Sequence, residues 1–312
     1  MPRELVVLGS ASQVPTRQRN HNGYLLRWDA DAILFDPGEG TQRQMTFAGV
    51  SSSAVTHVCV THFHGDHCLG LPGVLQRMSL DGVARRLPVA FPAGGAAYFD
   101  RLCHASAFEN RLDVAPVPVA ARDDGISTPV PCDPPASTTL FAASLRHGIS
   151  TVGWRLEEHA GRTMLPDRLE AAGVIGPDIA RLQRHGELSI DGRLVVLDDV
   201  SVARPPQVVA FVMDTGWCQS ALALSRGADL LVCEATFDDG DAGLAARAGH
   251  LTASQAGRLA AEAGARLLVL THFSQRYSDI GPLVARARAE FSGDVVAAED
   301  LATVALPARR SA

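Results

Sequence analysis

Lysine is absent from all 312 residues, and every one of the 28 basic side chains is arginine. Arginine offers phosphate a planar, bidentate fork where lysine would offer a point charge. An excess of positive charge is missing too. The net charge of −6 gives no global attraction for nucleic acid, so a polyanion would have to be held by local groups. No apolar run approaches the roughly 18 to 20 residues that span a bilayer, and Leu-Val-Val-Leu at 5–8 is too short for the apolar region of a signal peptide. A soluble chain that stays in the cytoplasm is the expectation. The six cysteines show no C-x-x-C spacing, and Cys59 and Cys233 sit inside apolar strand-like runs, so reduced and mostly buried thiols are expected. There is no internal repeat.

Apolar residues make up 46% of the chain, ample for a core at this length. Strand-like runs recur at 4–8, 24–28, 32–35, 55–60, 87–91, 139–145, 152–156, 208–213, 230–233, 267–270 and 295–298. Helix-like segments lie between them at 41–47, 69–80, 95–104, 219–225, 244–249, 253–262 and 280–291. The alternation predicts α/β layers. Thr252, followed three residues later by Gln255, predicts a capping box at the start of the segment 253–262. Residues 126–137 read as a loop and 305–312 as a frayed tail. The stretch 158–193 breaks the alternation, and two short helices joined at Gly176-Pro177 fit it, as an excursion from the core.

The most informative stretch is Thr-His-Phe-His-Gly-Asp-His at 61–67, placed directly after the apolar run 55–60. Three imidazoles and a carboxylate within six residues offer nitrogen and oxygen ligands suited to Zn²⁺ without a thiolate. His62 and His64 project one way, while Asp66 and His67, past Gly65, reach toward a second ion. Further ligand-type residues stand where other strands stop, at His147, Asp214 and His272. Three histidines plus a shared carboxylate suffice for one ion, and Asp66, His67, His272 and the same carboxylate for another. Two ions roughly 3.5–4 Å apart imply hydrolysis of a phosphoryl or carbonyl substrate. Asp36, at the end of the run 32–35, and Glu39 are placed to hydrogen-bond the ligand imidazoles.

In this order the residues resemble the metallo-β-lactamase superfamily, whose pattern is Asp, H-x-H-x-D-H, His, Asp, His, and the match runs from about residue 4 to 298. Several stretches resemble the ribonuclease Z family in particular. Pro-Thr-Arg-Gln-Arg-Asn at 15–20 is similar to its P-x-K-x-R-N loop, Phe-Asp-Pro-Gly-Glu-Gly-Thr-Gln-Arg-Gln at 35–44 to its first motif, and 61–72 to its metal loop. The resemblance implies a single αββα sandwich over 1–312 with metals at one edge and an inserted flexible arm at about 158–193. It assigns His62, His64 and His147 to a first zinc, Asp66, His67 and His272 to a second, and Asp214 as the bridge. Asp66 would also orient or deprotonate the attacking water. Cys-Glu-Ala-Thr at 233–236 is similar to the family's H-E-A-T motif, with cysteine in place of the first histidine, and His-Leu-Thr at 250–252 to its H-S-T. This implies His250 as general acid on the leaving 3′ oxygen, with Glu234 as its orienting partner.

Removal of 3′ trailers from precursor tRNA, leaving a 3′-hydroxyl, is the activity so implied, by a homodimer with two zinc ions per subunit. Arg17, Arg19, Asn20 and Arg276 would meet the RNA near the metals, and Gly176 and Pro177 would belong to the arm that grips the tRNA. Within the arm, Arg162, Arg168, Arg181 and Arg184 are offset by Glu158, Asp167, Glu170 and Asp178, which predicts binding less driven by charge than a basic arm would give. The competing readings are a small-molecule phosphodiesterase or other hydrolase of the same superfamily, and a non-catalytic RNA-binding protein with a structural zinc. A small substrate needs neither the arm nor the loop 15–20, and a non-catalytic relative is expected to have lost ligands.

Overall fold

Alternation along the first strands decides the architecture. Leu5 and Val7, Tyr24, Leu26 and Trp28, and Ile33 and Phe35 share one core, while Val6, Leu8, Leu25, Ala32 and Leu34 enter another. A sheet apolar on both faces must be covered on both. The computed structural model describes residues 3–122, 128–132 and 134–310, and in it the first face meets a second sheet. The other face takes Met45, Leu71, Val74, Leu75, Met78 and Phe99 from the helices Thr41–Phe47, Leu71–Leu80 and Ala96–Cys103. The second sheet repeats the logic. Val209, Phe211, Val232 and Val269 face inward, whereas Ala210, Val212, Leu231, Leu268 and Leu270 pack on the helices Gln219–Ser225, Ala253–Ala263 and Gly281–Glu290. The expected αββα sandwich is the result. The capping box at Thr252 and Gln255 forms as the spacing predicts.

Among the described residues, each of these two large sheets has seven strands. In the first, Asp31–Phe35, His57–Cys59, Leu87–Pro92 and Val114–Val119 run parallel. Parallel too are Val208–Val212, Leu230–Glu234, Leu267–Thr271 and Asp294–Ala297 in the second. Parallel strands deliver the loops that follow them to a common edge, where ligand-type residues can converge.

The strand Val114–Val119 has no counterpart among the expected runs. Pro116 and Pro118 hide it, because a strand lacking alternate N–H groups can pair on only one side, and this one takes the sheet's outer edge against Leu87–Pro92. Of the expected loop and tail, residues 126–127, 133 and 311–312 lie outside the described residues. None of the six cysteines, all among the described residues, is in a disulfide, and Cys59, Cys68 and Cys233 are buried.

Residues 158–207, with 308–310, form a second compact unit, longer than the expected 158–193. The two helices on either side of Gly176 are present as Pro166–Ala171 and Pro177–His185, each with proline in its first turn. The extra length closes the unit. A hairpin Glu187–Ile190 and Arg193–Val196 turns at Asp191-Gly192, both at positive φ, and Ser201–Arg204 returns to pair with Gly161–Met164. Leu169, Val174, Leu182, Val195 and Val200 form its own small core.

Phe211 reports on the sandwich as a whole. Its ring stacks on Phe35 at 4.7 Å and meets Tyr24 edge-on at 5.2 Å, so three strands of two sheets close on it. Phe211→Ala should cost about 3–5 kcal/mol through transfer and cavity effects, read from the shift in a chemical denaturation curve. A loss below about 1 kcal/mol would mean that the sheets do not close on this ring.

Candidate metal centre

Strand ends supply the site, and the backbone at three of them is unusual. Asp36, Asp214 and His272 follow their strands in the left-handed region, with φ of 44°, 43° and 59°. That region is disfavoured by about 1–2 kcal/mol for an L side chain, less for Asp and His than for most. Here it turns each side chain off the strand direction, and such strain gathers at functional sites. The metal loop is seated by close approach. A Cβ on Gly38 would stand 2.1 Å from the Asp66 carbonyl oxygen, and one on Gly70 1.9 Å from that of Gly38. Only glycine lets the turn after Phe35 and the start of the loop's helix interlock.

Two sets of ligand atoms result. In the first, His62 Nε2 lies 3.0 Å from His64 Nδ1 and 3.4 Å from Asp214 Oδ2, and His147 Nε2 lies 3.3 Å from His64 Nδ1 and 3.8 Å from Asp214 Oδ2. In the second, His67 Nε2 is 3.4 Å from both Asp66 Oδ2 and Asp214 Oδ1, and His272 Nε2 is 3.5 and 3.2 Å from the same two oxygens. Tetrahedral ligands about 2.0–2.1 Å from zinc stand about 3.3–3.4 Å apart. The observed spacings bracket that value. Asp214 gives one oxygen to each set, and its Oδ1 is buried without a hydrogen-bond donor, an orphan that a cation would satisfy. The donor set therefore fits the group that the sequence implies.

The far side of each imidazole is held by the protein. His67 Nδ1 donates to Asp36 Oδ2 at 2.8 Å, His147 Nδ1 to the Gly249 carbonyl at 3.0 Å, and His62 Nδ1 to the Thr61 hydroxyl at 3.0 Å. His272 Nδ1 lies 2.7 Å from the Thr236 hydroxyl. Such partners fix ring orientation and leave the other nitrogen for the metal. Thr61 and Thr236 stand in motifs that the sequence displays, yet nothing there gives either a role of its own, and nothing in the local pattern marks Gly249.

Charge is crowded to match. Burial would lower His67, but the carboxylates of Asp214, Asp66 and Asp36 outweigh it and push the imidazole up. Burial would raise Asp66 and Asp214, yet His67 and His272 hold both far below the usual carboxylate range. Burial likewise works against His250, and the charges of Glu234 and Asp214 prevail, raising it to about 9. His250 Nδ1 is 3.0 Å from Glu234 Oε2, a carboxylate with no exposure that also accepts Thr215 N–H at 2.6 Å.

Other expected residues divide. Arg17 is exposed, and Arg276 lines an open groove of about 840 Å³ together with His64, Asp66, His147, Asp214 and His250. Arg19, by contrast, spends its guanidinium on Ser10 Oγ and the Ala298 carbonyl and lies over the Phe273 ring, and Asn20 Nδ2 donates to the Glu39 and His21 carbonyls. These two shape the loop from inside. Glu39 does not reach a ligand imidazole as expected. Its carboxylate is exposed, 3.7 Å from His21, because the turn that buries Asp36 leaves Glu39 facing outward. An unforeseen contact is Gln13 N–H, which donates to Asp66 Oδ2 at 2.7 Å and ties the loop 15–20 to the metal set.

Comparison with known proteins agrees with this geometry. Residues 16–140 match the family described as the metallo-beta-lactamase superfamily, and 200–273 a beta-lactamase superfamily domain. The chain is 57% identical to a ribonuclease Z of Nocardia farcinica over 99% of both chains, and 55% identical to one of Salinispora arenicola over 99% of this chain and 97% of that one. Its fold resembles the short form of human tRNase Z, with a TM-score of 0.69 at 24% identity over 98% and 100% of the two chains. A metallo-beta-lactamase fold protein of Bacillus subtilis is similar at a TM-score of 0.67 and 22% identity, over 97% and 98%. With near-complete coverage at more than half identity, and the ligand sets in place, the chain belongs to the ribonuclease Z family of the metallo-beta-lactamase superfamily.

Proposed function

We propose that this chain removes 3′ trailers from precursor tRNA, leaving a 3′-hydroxyl, with two zinc ions per subunit: one on His62, His64, His147 and Asp214, the other on Asp66, His67, His272 and Asp214. The observation that carries the reading is the division of the two Asp214 oxygens between two sets of ligand atoms with tetrahedral spacing. The relatives' name, ribonuclease Z, supplies RNA as the substrate class, and the resemblance of 15–20, 35–44 and 61–72 to that family's motifs narrows it to precursor tRNA. Such a pair of ions lowers the pKa of a water and stabilises charge on phosphoryl oxygens.

The protein's own groups divide the remaining work. Asp66 Oδ2 already accepts Gln13 N–H and faces His67 and His272, so the carboxylate is a poor base and serves chiefly to orient. His250, held by Glu234 through Nδ1, has its protonated form favoured by that carboxylate and can deliver the proton from Nε2 to the leaving 3′ oxygen. Arg17 and Arg276 would receive phosphates at the groove by bidentate contact.

In the second unit, eight acidic residues stand against six arginines between 158 and 207. Arg162 is paired with Asp198, and Arg181 with Asp178. As an arm this unit would recognise RNA by shape more than by charge, with Gly176 and Pro177 opening its longer helix. A small-molecule phosphodiesterase would have no use for it. Assembly as a homodimer and a place in the cytoplasm complete the proposal, and among the described residues no helix is long and apolar enough to cross a membrane.

Incubation with a precursor tRNA, with and without chelator, should give two metal-dependent products joined at a single position, with about two metals per chain by elemental analysis. Asp66→Ala should reduce cleavage about 100-fold or more while tRNA binding in a gel shift stays within about threefold. Undiminished cleavage by that variant would refute the assignment.

Gly161 pairs directly with Arg204, so a short Gly-Ser linker can replace residues 162–203 without straining the flanking chain. That deletion should cripple cleavage of precursor tRNA and spare a chromogenic phosphodiester. Equal losses on both would argue against an arm.

A further inference from the structure

One hydrogen-bonding arrangement occurs twice at the metal edge, once from each sheet. On the first sheet the Thr61 hydroxyl donates to Asp36 Oδ2 at 2.7 Å and accepts from His62 Nδ1 at 3.0 Å, and the same carboxylate takes His67 Nδ1 at 2.8 Å. On the second, the Thr236 hydroxyl donates to Glu234 Oε2 at 2.5 Å and lies 2.7 Å from His272 Nδ1, and the same carboxylate takes His250 Nδ1 at 3.0 Å. Each module is a threonine, a buried carboxylate and two histidines. In the first module both histidines belong to ligand sets, whereas in the second one does and the other is His250.

Proton counting gives Thr236 a definite task. A hydroxyl has one hydrogen, and an ionised carboxylate can only accept, so the Thr236 proton goes to Glu234. Thr236 is then left with lone pairs, and His272 must carry its proton on Nδ1. The His272 Nε2 lone pair therefore faces the Asp214 and Asp66 oxygens, 3.2 and 3.5 Å away, in the orientation a metal needs. Glu234, fixed by Thr236 and by Thr215 N–H, in turn holds the Nδ1 side of His250. His250 offers a ring nitrogen within 4.8 Å of the Asp214 and His272 ligand atoms.

We infer that Thr236, only 1% exposed, is a positioning residue that sets the tautomer of the ligand His272 and, through Glu234, aims the proton donor His250. This rests on the functional reading above. One hydroxyl then aligns the groups acting at both ends of the breaking bond.

The test compares Thr236→Val, which removes the hydroxyl, with Thr236→Ser, which keeps it. Thr236→Val should lose metal to a competing chelator about 10–100-fold more readily. At saturating zinc it should cleave precursor tRNA about 10–100-fold more slowly, and its loss on bis-p-nitrophenyl phosphate, whose leaving oxygen needs no proton, should be at least about threefold smaller. Thr236→Ser should restore both. Parallel losses on the two substrates, or unchanged metal retention, would overturn the inference. Side-chain ¹⁵N spectra of the unmutated zinc-loaded protein give a reading that does not depend on a variant folding, and a His272 proton on Nε2 would also overturn it. Unmutated protein that neither retains metal nor cuts precursor tRNA would refute the functional reading itself.

Discussion

A single buried carboxylate, Asp36, holds the metal loop against the first sheet. It has no exposure and accepts three hydrogen bonds, from the Thr61 amide, the Thr61 hydroxyl and His67. The loop cannot move away without leaving a charge unpaired in the interior, which costs far more than an ordinary surface contact. The position of every residue from His62 to His67 follows from that constraint. So does the interlocking of Gly38 with Asp66 and of Gly70 with Gly38, which leaves the loop no room to settle elsewhere.

The second sheet answers with Asp214, Glu234 and His272, and the centre exists only where the two sets of strand ends face each other across the core. Phe35, Tyr24 and Phe211 pack a short way along the same strands, so the hydrophobic contact that closes the sandwich also fixes the separation of the ligands. The left-handed backbone at Asp36, Asp214 and His272 is the local cost of aiming three side chains inward from strands that would otherwise carry them past. Packing over the whole sandwich offsets it.

The candidate ligands are legible because each stands at the end of an apolar run, and such runs reveal themselves by composition. The layer architecture was legible for the same reason. The edge strand Val114–Val119 was not, since Pro116 and Pro118 argue against a strand until the sheet's outer edge is known to accept them. The second unit read as two helices and no more, because its closing strands are short and only partly apolar. The structure adds a role to Arg19 and corrects that of Glu39. A cation in a motif suggests a ligand contact, yet Arg19 props its own loop from within, and a carboxylate next to Asp36 suggests a shared role, yet one turn of chain sends it to the surface. Thr61 and Thr236 stand inside motifs that the sequence displays, but their roles are not legible there, because what a hydroxyl does depends on partners distant along the chain.

The ligands are also distributed unevenly in the order in which a ribosome makes them. Four lie within six residues of chain, and His272, which packs against His67, follows 205 residues later. A nascent chain therefore carries a dense cluster of imidazoles for most of its synthesis before the partner that completes the second set has emerged. Because Asp214 stands between both candidate sets, neither set is complete until the second sheet is built, and a complete site marks a finished molecule.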